Sequence, residues 1–343
     1  MVEPGLVRAG FDEAGLGPTL GPLVVAGFAT RVGARSSANW GPLDDLRGRL
    51  AALVGEPGGR DGRIEVGDSK KIHVGARKLA RIERTALATV AWIHGRVPRD
   101  VGELLSMVAE PSFELAGDRR APWWSSLTEA LPIAHERGEI EALGERLAAL
   151  ARAADVWPLW YRADLVSAAR INRELALEDR REGTKNTWAT HAVLRLAKLA
   201  VDELDAPRLT IWCDKAGGRA AYGEPLERAF VGSASTFERI DETRDRSHYR
   251  SIAPGDRRTE LGFVMGGDRC DPRISWASIL AKYLRELIMR SMNRYFADRM
   301  AGCAEALRPT AGYPEDAKRF IAAVEAELGP GAGLERAAWI RMK

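Results

Sequence analysis

The sequence predicts an α/β chain, and three observations lead there. Short apolar runs that read as strands recur at residues 6–12, 23–30, 209–213 and 261–265. Helical periodicity is clear over 188–204, where Ala192, Leu194, Leu196, Ala197 and Leu199 recur at short helical intervals. Asp271-Pro272 supplies a helix cap followed by proline in the first turn, so a long helix is expected over about 274–294.

The remaining elements follow in chain order. The strands at 6–12 and 23–30 flank a Gly/Pro-rich turn and read as the start of an antiparallel meander. One helix is expected at 44–53, another at about 75–88, and a strand at about 89–97. Residues 101–160 hold ten Asp plus Glu against five Lys plus Arg, with helical runs and the Trp123-Trp124 pair. This stretch reads as an inserted helical subdomain, leaving 1–100 and 161–343 as the main domain. A last helix should follow Pro314.

Composition narrows the class. At 45% apolar and 29% charged, the 343 residues can bury a large core, which excludes disorder and disulfide-stapled miniproteins. A net charge of +3 identifies no partner. Charges at Glu3, Arg8, Asp12 and Glu13 interrupt any signal-peptide core, and no apolar run is long enough to span a membrane. The three cysteines form no CxxC pair, so zinc and disulfides are not expected and a reducing cytoplasm is.

Acids stand at three strand ends: Asp12-Glu13, Asp214 and Asp268. Side chains of neighbouring strand residues point to opposite faces, so Asp12 and Glu13 share a site only if the chain bends there. Gly15 and Gly17 permit such a bend. Four gathered carboxylates repel one another unless cations are present, and hard oxygen ligands suit Mg²⁺ or Mn²⁺. Two such ions about 3.5–4 Å apart are the usual device for in-line phosphodiester cleavage. The bland alternative is that these acids are unrelated caps and turn residues.

The motifs resemble those of the type 2 ribonucleases H, bacterial ribonuclease HII and its relatives. Gly10-Phe11-Asp12-Glu13-Ala14-Gly15-Leu16-Gly17-Pro18 looks like that family's opening motif, and Asp68-Ser69-Lys70-Lys71 like its DSKK segment. Gly267-Asp268 through Ile274-Ser275-Trp276-Ala277-Ser278-Ile279-Leu280-Ala281-Lys282 is similar to its GD…ISAASILAK segment, and Gly312-Tyr313-Pro314 to its GYP segment. Asp214 falls where the family has its third acid. The match spans about 1–100 and 160–343, weakly over 216–258.

The resemblance implies a ribonuclease H-like fold with a mixed five-stranded sheet flanked by helices. It implies endonucleolytic cleavage of the RNA strand of RNA–DNA hybrids, or of ribonucleotide-containing duplex DNA, with a two-ion Mg²⁺ or Mn²⁺ site. The catalytic and metal-binding acids would be Asp12, Glu13, Asp214 and Asp268. Gly15, Leu16 and Gly17 would face the ribose 2′-hydroxyl, by which RNA is told from DNA. Lys70, Lys71 and Lys282 would sit near phosphates, and Tyr313 would stack on a deoxyribose. The protein is expected to be a monomer. Departures are Leu16 in place of arginine, Lys215 in place of glycine, and Thr310-Ala311 in place of His-Lys. They bear on single-ribonucleotide selectivity. Two other functions compete: a DNA nuclease of the same superfamily, and a non-catalytic nucleic-acid binder. The adjacent Asp12-Glu13 counts against the exonuclease pattern, and all four acids being present counts against a decayed site.

Overall fold

The computed structural model of the chain describes residues 6–33, 46–59, 62–110, 121–177, 185–215, 219, 221–231, 236–252, 257–302 and 306–342. The fold is mixed α/β. Its main sheet has seven strands: β1 (Val7–Ala14), β2 (Leu23–Val32), β5 (Val156–Val166), β6 (Arg208–Asp214), β7 (Thr236–Glu242), β8 (Arg246–Ile252) and β9 (Arg258–Val264). Their order across the sheet is β5-β2-β1-β6-β9-β8-β7. The centre, β1-β6-β9, is parallel, and the flanking pairs are antiparallel. Two short strands, β3 (Val54–Gly55) and β4 (Ile64–Glu65), pair separately.

Seven strands replace the expected five. The additional ones were hidden by their chemistry. β5 follows a helical stretch and contains Pro158, and its first five residues lie before the expected boundary at 160. β7 is an edge strand whose side chains are exposed or half-buried and largely charged, which suppresses the apolar alternation that marks a strand.

Helices cover both faces. They are α1 (Leu46–Arg49), α2 (Ser69–Ile72), α3 (Lys78–His94), α4 (Val101–Val108), α5 (Arg137–Ala153), α6 (Ala168–Leu177), α7 (Lys185–Glu203), α8 (Gly223–Ala229), α9 (Gly267–Cys270), α10 (Pro272–Arg299) and α11 (Pro314–Leu328). The first residues of the helix expected at 44–53 lie outside the described residues. The strand expected at 89–97 is helix instead, because α3 runs on to His94. Its residues 85–92 are all buried, and Thr89 and Val90 give such a fully buried stretch a strand-like composition.

One core lies between the sheet and α10, with α3 and α5 stacked beyond, and includes Val24, Phe28, Trp276 and Leu280. The other lies under α7 and includes Phe11, Val25, Leu196 and Ile211. The buried apolar side chains described between Val101 and Val156 belong to the first core, whereas Trp160 joins the second. Trp123 and Trp124 are both buried there, and Trp123 packs beside Phe296 with ring centroids 5.6 Å apart. Buried Glu83 of α3 ties the segment down, accepting hydrogen bonds from the Ile133 and Ala134 N–H groups and from the Tyr283 hydroxyl. Among the described residues, no helix is long and apolar enough to cross a membrane.

Asp271 caps α10, its Oδ1 accepting from the Arg273 N–H at 2.8 Å. The helix then runs directly over β1 at Gly10. A Cβ on Gly10 would lie 2.3 Å from the Ile274 nitrogen, which is backbone and cannot give way. Gly10→Ala should therefore force the helix off the strand. Overpacking typically costs about 1–3 kcal/mol, and a loss of at least that size is expected in urea unfolding. A variant as stable as the parent would show that the contact is not as close as described.

Candidate active site

Parallel pairing builds the site. Phe11 of β1 stands opposite Cys213 of β6, so Asp12 and Asp214, the next residue on each strand, reach the same sheet edge. Strand β9 lies beyond β6, and Asp268 follows it in α9. The Gly267 N–H donates to Asp214 Oδ1 at 2.7 Å, tying the third acid to the turn that carries the fourth.

A polar network joins Asp268 to Asp12. Asp268 Oδ2 accepts from the Ser69 N–H at 2.9 Å and from the Ser69 hydroxyl at 2.7 Å. Lys282 Nζ donates to the hydroxyls of Ser69 at 2.9 Å and Ser278 at 2.6 Å. Ser278 is one helical turn before Lys282 on α10; its hydroxyl donates to Ser69 Oγ at 3.0 Å, and its closeness to Asp12 favours the charged form of that acid against burial. Asp68 is a cap for α2, accepting from the Lys70 N–H at 3.1 Å. Lys70 is exposed, but its charge is felt at Asp214. Lys71 is exposed on the same short helix. Ser69 and Ser278 were not singled out in the sequence. Their signal was only their position inside the two motifs, because a serine carries no charge pattern to mark it.

Asp12 and Glu13 leave β1 on opposite faces. Asp12 shares the α10 side with Ala14, and Glu13 shares the α7 side with Phe11. The expected bend does not fall between them: pairing with β2 is regular through Ala14. It falls next, at Gly15, whose φ of +91° is left-handed. Even so, the acids sense one another. Burial, with the Asp214 charge adding to it, pushes Asp12 from 3.8 up to about 7, against the opposing pull of Lys282. Burial and the charges of Asp12 and Asp214 push Glu13 from 4.5 up to about 8. Asp214 is raised as well, first by burial and then by Asp268. Buried Cys213 is pushed up by burial and by the same acids, so its thiol is not a nucleophile.

The glycine turn is held from below. Arg341 Nη1 donates to the Gly15 carbonyl at 2.6 Å, and its Nε and Nη2 donate to the Gly21 carbonyl at 2.8 and 2.6 Å. Leu16 is half-buried against the α7 core. Tyr313 is 55% exposed beside the turn, its Cε1 4.0 Å from where a Cβ on Gly17 would stand. The Arg285 guanidinium lies 5.9 Å from the Tyr313 ring centre. Arg341 escaped the sequence reading because it lies 326 residues from Gly15.

The donor set fits a hard divalent cation. It is all oxygen, and acids held partly protonated by burial, with one another's charge adding to it, would be returned to their charged form by a cation. Among the described residues, no three carboxylate, histidine or cysteine side chains stand ready to ligate one ion.

No family model matches the chain, and no curated protein matches it. The chain is similar to solved ribonucleases of the HII and HIII types. One is the ribonuclease H2 from Pyrococcus horikoshii OT3, at 14% identity over 96% of this chain and 93% of that one, with a TM-score of 0.41. Another is RNase HII of Archaeoglobus fulgidus in its complex with PCNA, at 15% identity over 98% of both chains and a TM-score of 0.39. A third is Bst-RNase HIII in complex with Mn²⁺, at 16% identity over 99% of this chain and 68% of that one, with a TM-score of 0.44.

The raised acids predict a pH dependence. Asp12 and Glu13 hold protons more tightly in the folded chain than in the unfolded one, where 3.8 and 4.5 apply. Their contribution to stability is therefore complete below about pH 4 and is lost as pH rises through about 7 to 8. In EDTA, the melting temperature should fall between pH 5 and pH 8, and Asp12→Asn should flatten the slope. A melting temperature that climbs over that interval, or an unchanged slope in the variant, would contradict the assignment.

Proposed function

We propose that this protein is a divalent-cation-dependent endoribonuclease of the type 2 ribonuclease H kind, cutting the RNA strand of RNA–DNA hybrids. The observation that carries this reading is the meeting of Asp12 and Asp214 at adjacent parallel strand ends, with Asp268 held by Ser69 and Ser69 held by Lys282, whose charge acts on Asp12. In this reading Asp12, Glu13, Asp214 and Asp268 hold Mg²⁺ or Mn²⁺. Ions at such a site supply the charge that activates a water and steadies the leaving oxygen.

The chain's own groups do the rest. Lys282 offsets the charge of Asp12 and Glu13 and keeps Ser69 turned towards Asp268. Arg341 takes up the Gly15 carbonyl on the protein side, which leaves the turn of Gly15, Leu16 and Gly17 to read a ribose 2′-hydroxyl from the solvent side. Tyr313, exposed beside Gly17, offers a ring face to a sugar. Lys70 and Lys71 supply exposed cations for the phosphates next to the acids.

Asp12→Asn should abolish turnover while leaving hybrid binding in place. The loss should exceed the roughly 10–100-fold typical when an outer-shell partner of a metal site is removed. The assay is Mg²⁺- or Mn²⁺-dependent cleavage of three labelled duplexes: an RNA–DNA hybrid, DNA with one ribonucleotide, and plain DNA. Cutting of plain DNA at a comparable rate would favour a DNA nuclease. Binding without cutting of any duplex would favour a non-catalytic relative.

Leu16 sets a second expectation. An arginine there could bond a phosphate with a charge-assisted hydrogen bond of about 1.5–3 kcal/mol, and half-buried leucine cannot. The protein should cut uniform hybrid at least as well as a single embedded ribonucleotide, and Leu16→Arg should shift the ratio towards the latter. A strong preference for the single ribonucleotide in the parent would overturn this.

A further inference from the structure

We propose that the chain carries a second binding site, at the opposite edge of the main sheet from the acids, that takes a small phosphate monoester. It is built by Arg208, Arg250, Arg258 and the Thr210 hydroxyl around a cavity of about 240 Å³. Arg208 and Asp214 are the first and last residues of β6. At about 3.3 Å per residue they stand roughly 20 Å apart, so this site and the candidate active site are separate. The proposal does not rest on the ribonuclease reading.

The register places these groups on one face. Arg208 stands opposite Arg258, and Thr210 opposite Glu260, across the parallel pair β6 and β9. Arg250 stands opposite Glu260 from β8. Residues two apart on a strand share a face, so all five side chains line the same surface. Leu6 adds an apolar wall.

Two features of this cluster lack an answer within the protein. Like charges directly opposite one another on neighbouring strands are destabilising. Among the described residues, neither the Arg208 nor the Arg258 side chain pairs with an acceptor. Glu260 also lines the cavity, but its oxygens are engaged: Oε2 lies 2.9 Å from His248 Nε2, and Oε1 accepts from Arg250 Nε at 3.2 Å. The second feature is Thr210. It is 3% exposed, and among the described residues its hydroxyl has no hydrogen-bond partner. A buried hydroxyl left unpaired carries a desolvation cost.

One ligand chemistry satisfies both. A tetrahedral oxyanion separates the two guanidinium groups, accepts from their planar forks, and takes the Thr210 proton on a further oxygen. The cavity is larger than an inorganic phosphate fills, and its Leu6 wall suits an organic substituent. A phosphate monoester meets the charge, the hydroxyl and the apolar wall together.

The test is titration calorimetry at fixed ionic strength in EDTA, with phenyl phosphate and inorganic phosphate as probes. The parent should bind phenyl phosphate saturably, one per chain, and more tightly than inorganic phosphate. Arg208→Gln/Arg258→Gln should weaken binding at least about tenfold, as the loss of a charge-assisted hydrogen bond would. Thr210→Val, nearly the same shape, should weaken it by a smaller factor, and Asp12→Asn should leave it unchanged. In chloride buffer alone the double glutamine variant should melt no lower than the parent, because a like-charge pair has been removed. No saturable binding by the parent overturns the proposal, as does equal binding by the double variant. Loss of binding in Asp12→Asn would place the anion at the acids and overturn it too. Equal affinity for the two probes would overturn the monoester assignment.

Discussion

The close approach of α10 to β1 at Gly10 is the constraint on which the candidate site depends. Nothing but hydrogen fits between the strand and the Ile274 nitrogen. That contact fixes where the helix starts, and its rigidity carries the placement forward to Ser278 and Lys282 one and two turns later. These two residues reach Asp12 and Ser69, and Ser69 reaches Asp268. A strand, a short helix and a long helix are thereby registered against one another through a handful of polar atoms. The acids themselves repel and could not do this.

The network also explains why a cluster of buried acids is tolerable at all. Asp12 is 7% exposed, and burial raises the cost of its charge. Lys282 offsets part of that cost without forming an ion pair tight enough to tie the acids up. The site is therefore left short of positive charge, a condition that favours binding of cations from solution. The same logic, with the sign reversed, holds at the far end of the sheet, where Arg208 and Arg258 face each other. Parallel strands bring residues of equal position together, and in this chain that juxtaposes acids at one end and arginines at the other.

Much of this was legible in the sequence, and the parts that were not share a physical reason. The acids could be read because an apolar strand running into a carboxylate near glycine is a local pattern, although only Asp214 ends its strand: Asp12 lies inside β1, and Asp268 lies past β9 in α9. The long helix could be read because Asp271 and Pro272 mark its start. The continuation of α3 to His94 could not, because burial on every side erases the periodicity that separates helix from strand. Nor could β7, whose charged side chains suit an edge and not a core. Residues 101–160 looked separate by their acidity, yet the buried apolar side chains described between Val101 and Val156 fill the same core as Phe28 and Trp276. Ser69 and Arg341 act through contacts made across 199 and 326 positions, which no local pattern records.

The long reach of Arg341 has a consequence for how the chain matures. Its guanidinium braces the turn that follows β1, but the two are separated by 326 positions. At about 5–20 residues per second on the ribosome, roughly 15–65 s pass between the synthesis of that turn and of its brace. Until Arg341 is made, the Gly15 and Gly21 carbonyls lack its hydrogen bonds. The turn is thus braced only once a later segment docks onto an earlier one, the Asn172 side-chain amide donating to the Ala337 and Ile340 carbonyls. Anything that delays that docking acts on the site from 326 positions away in sequence.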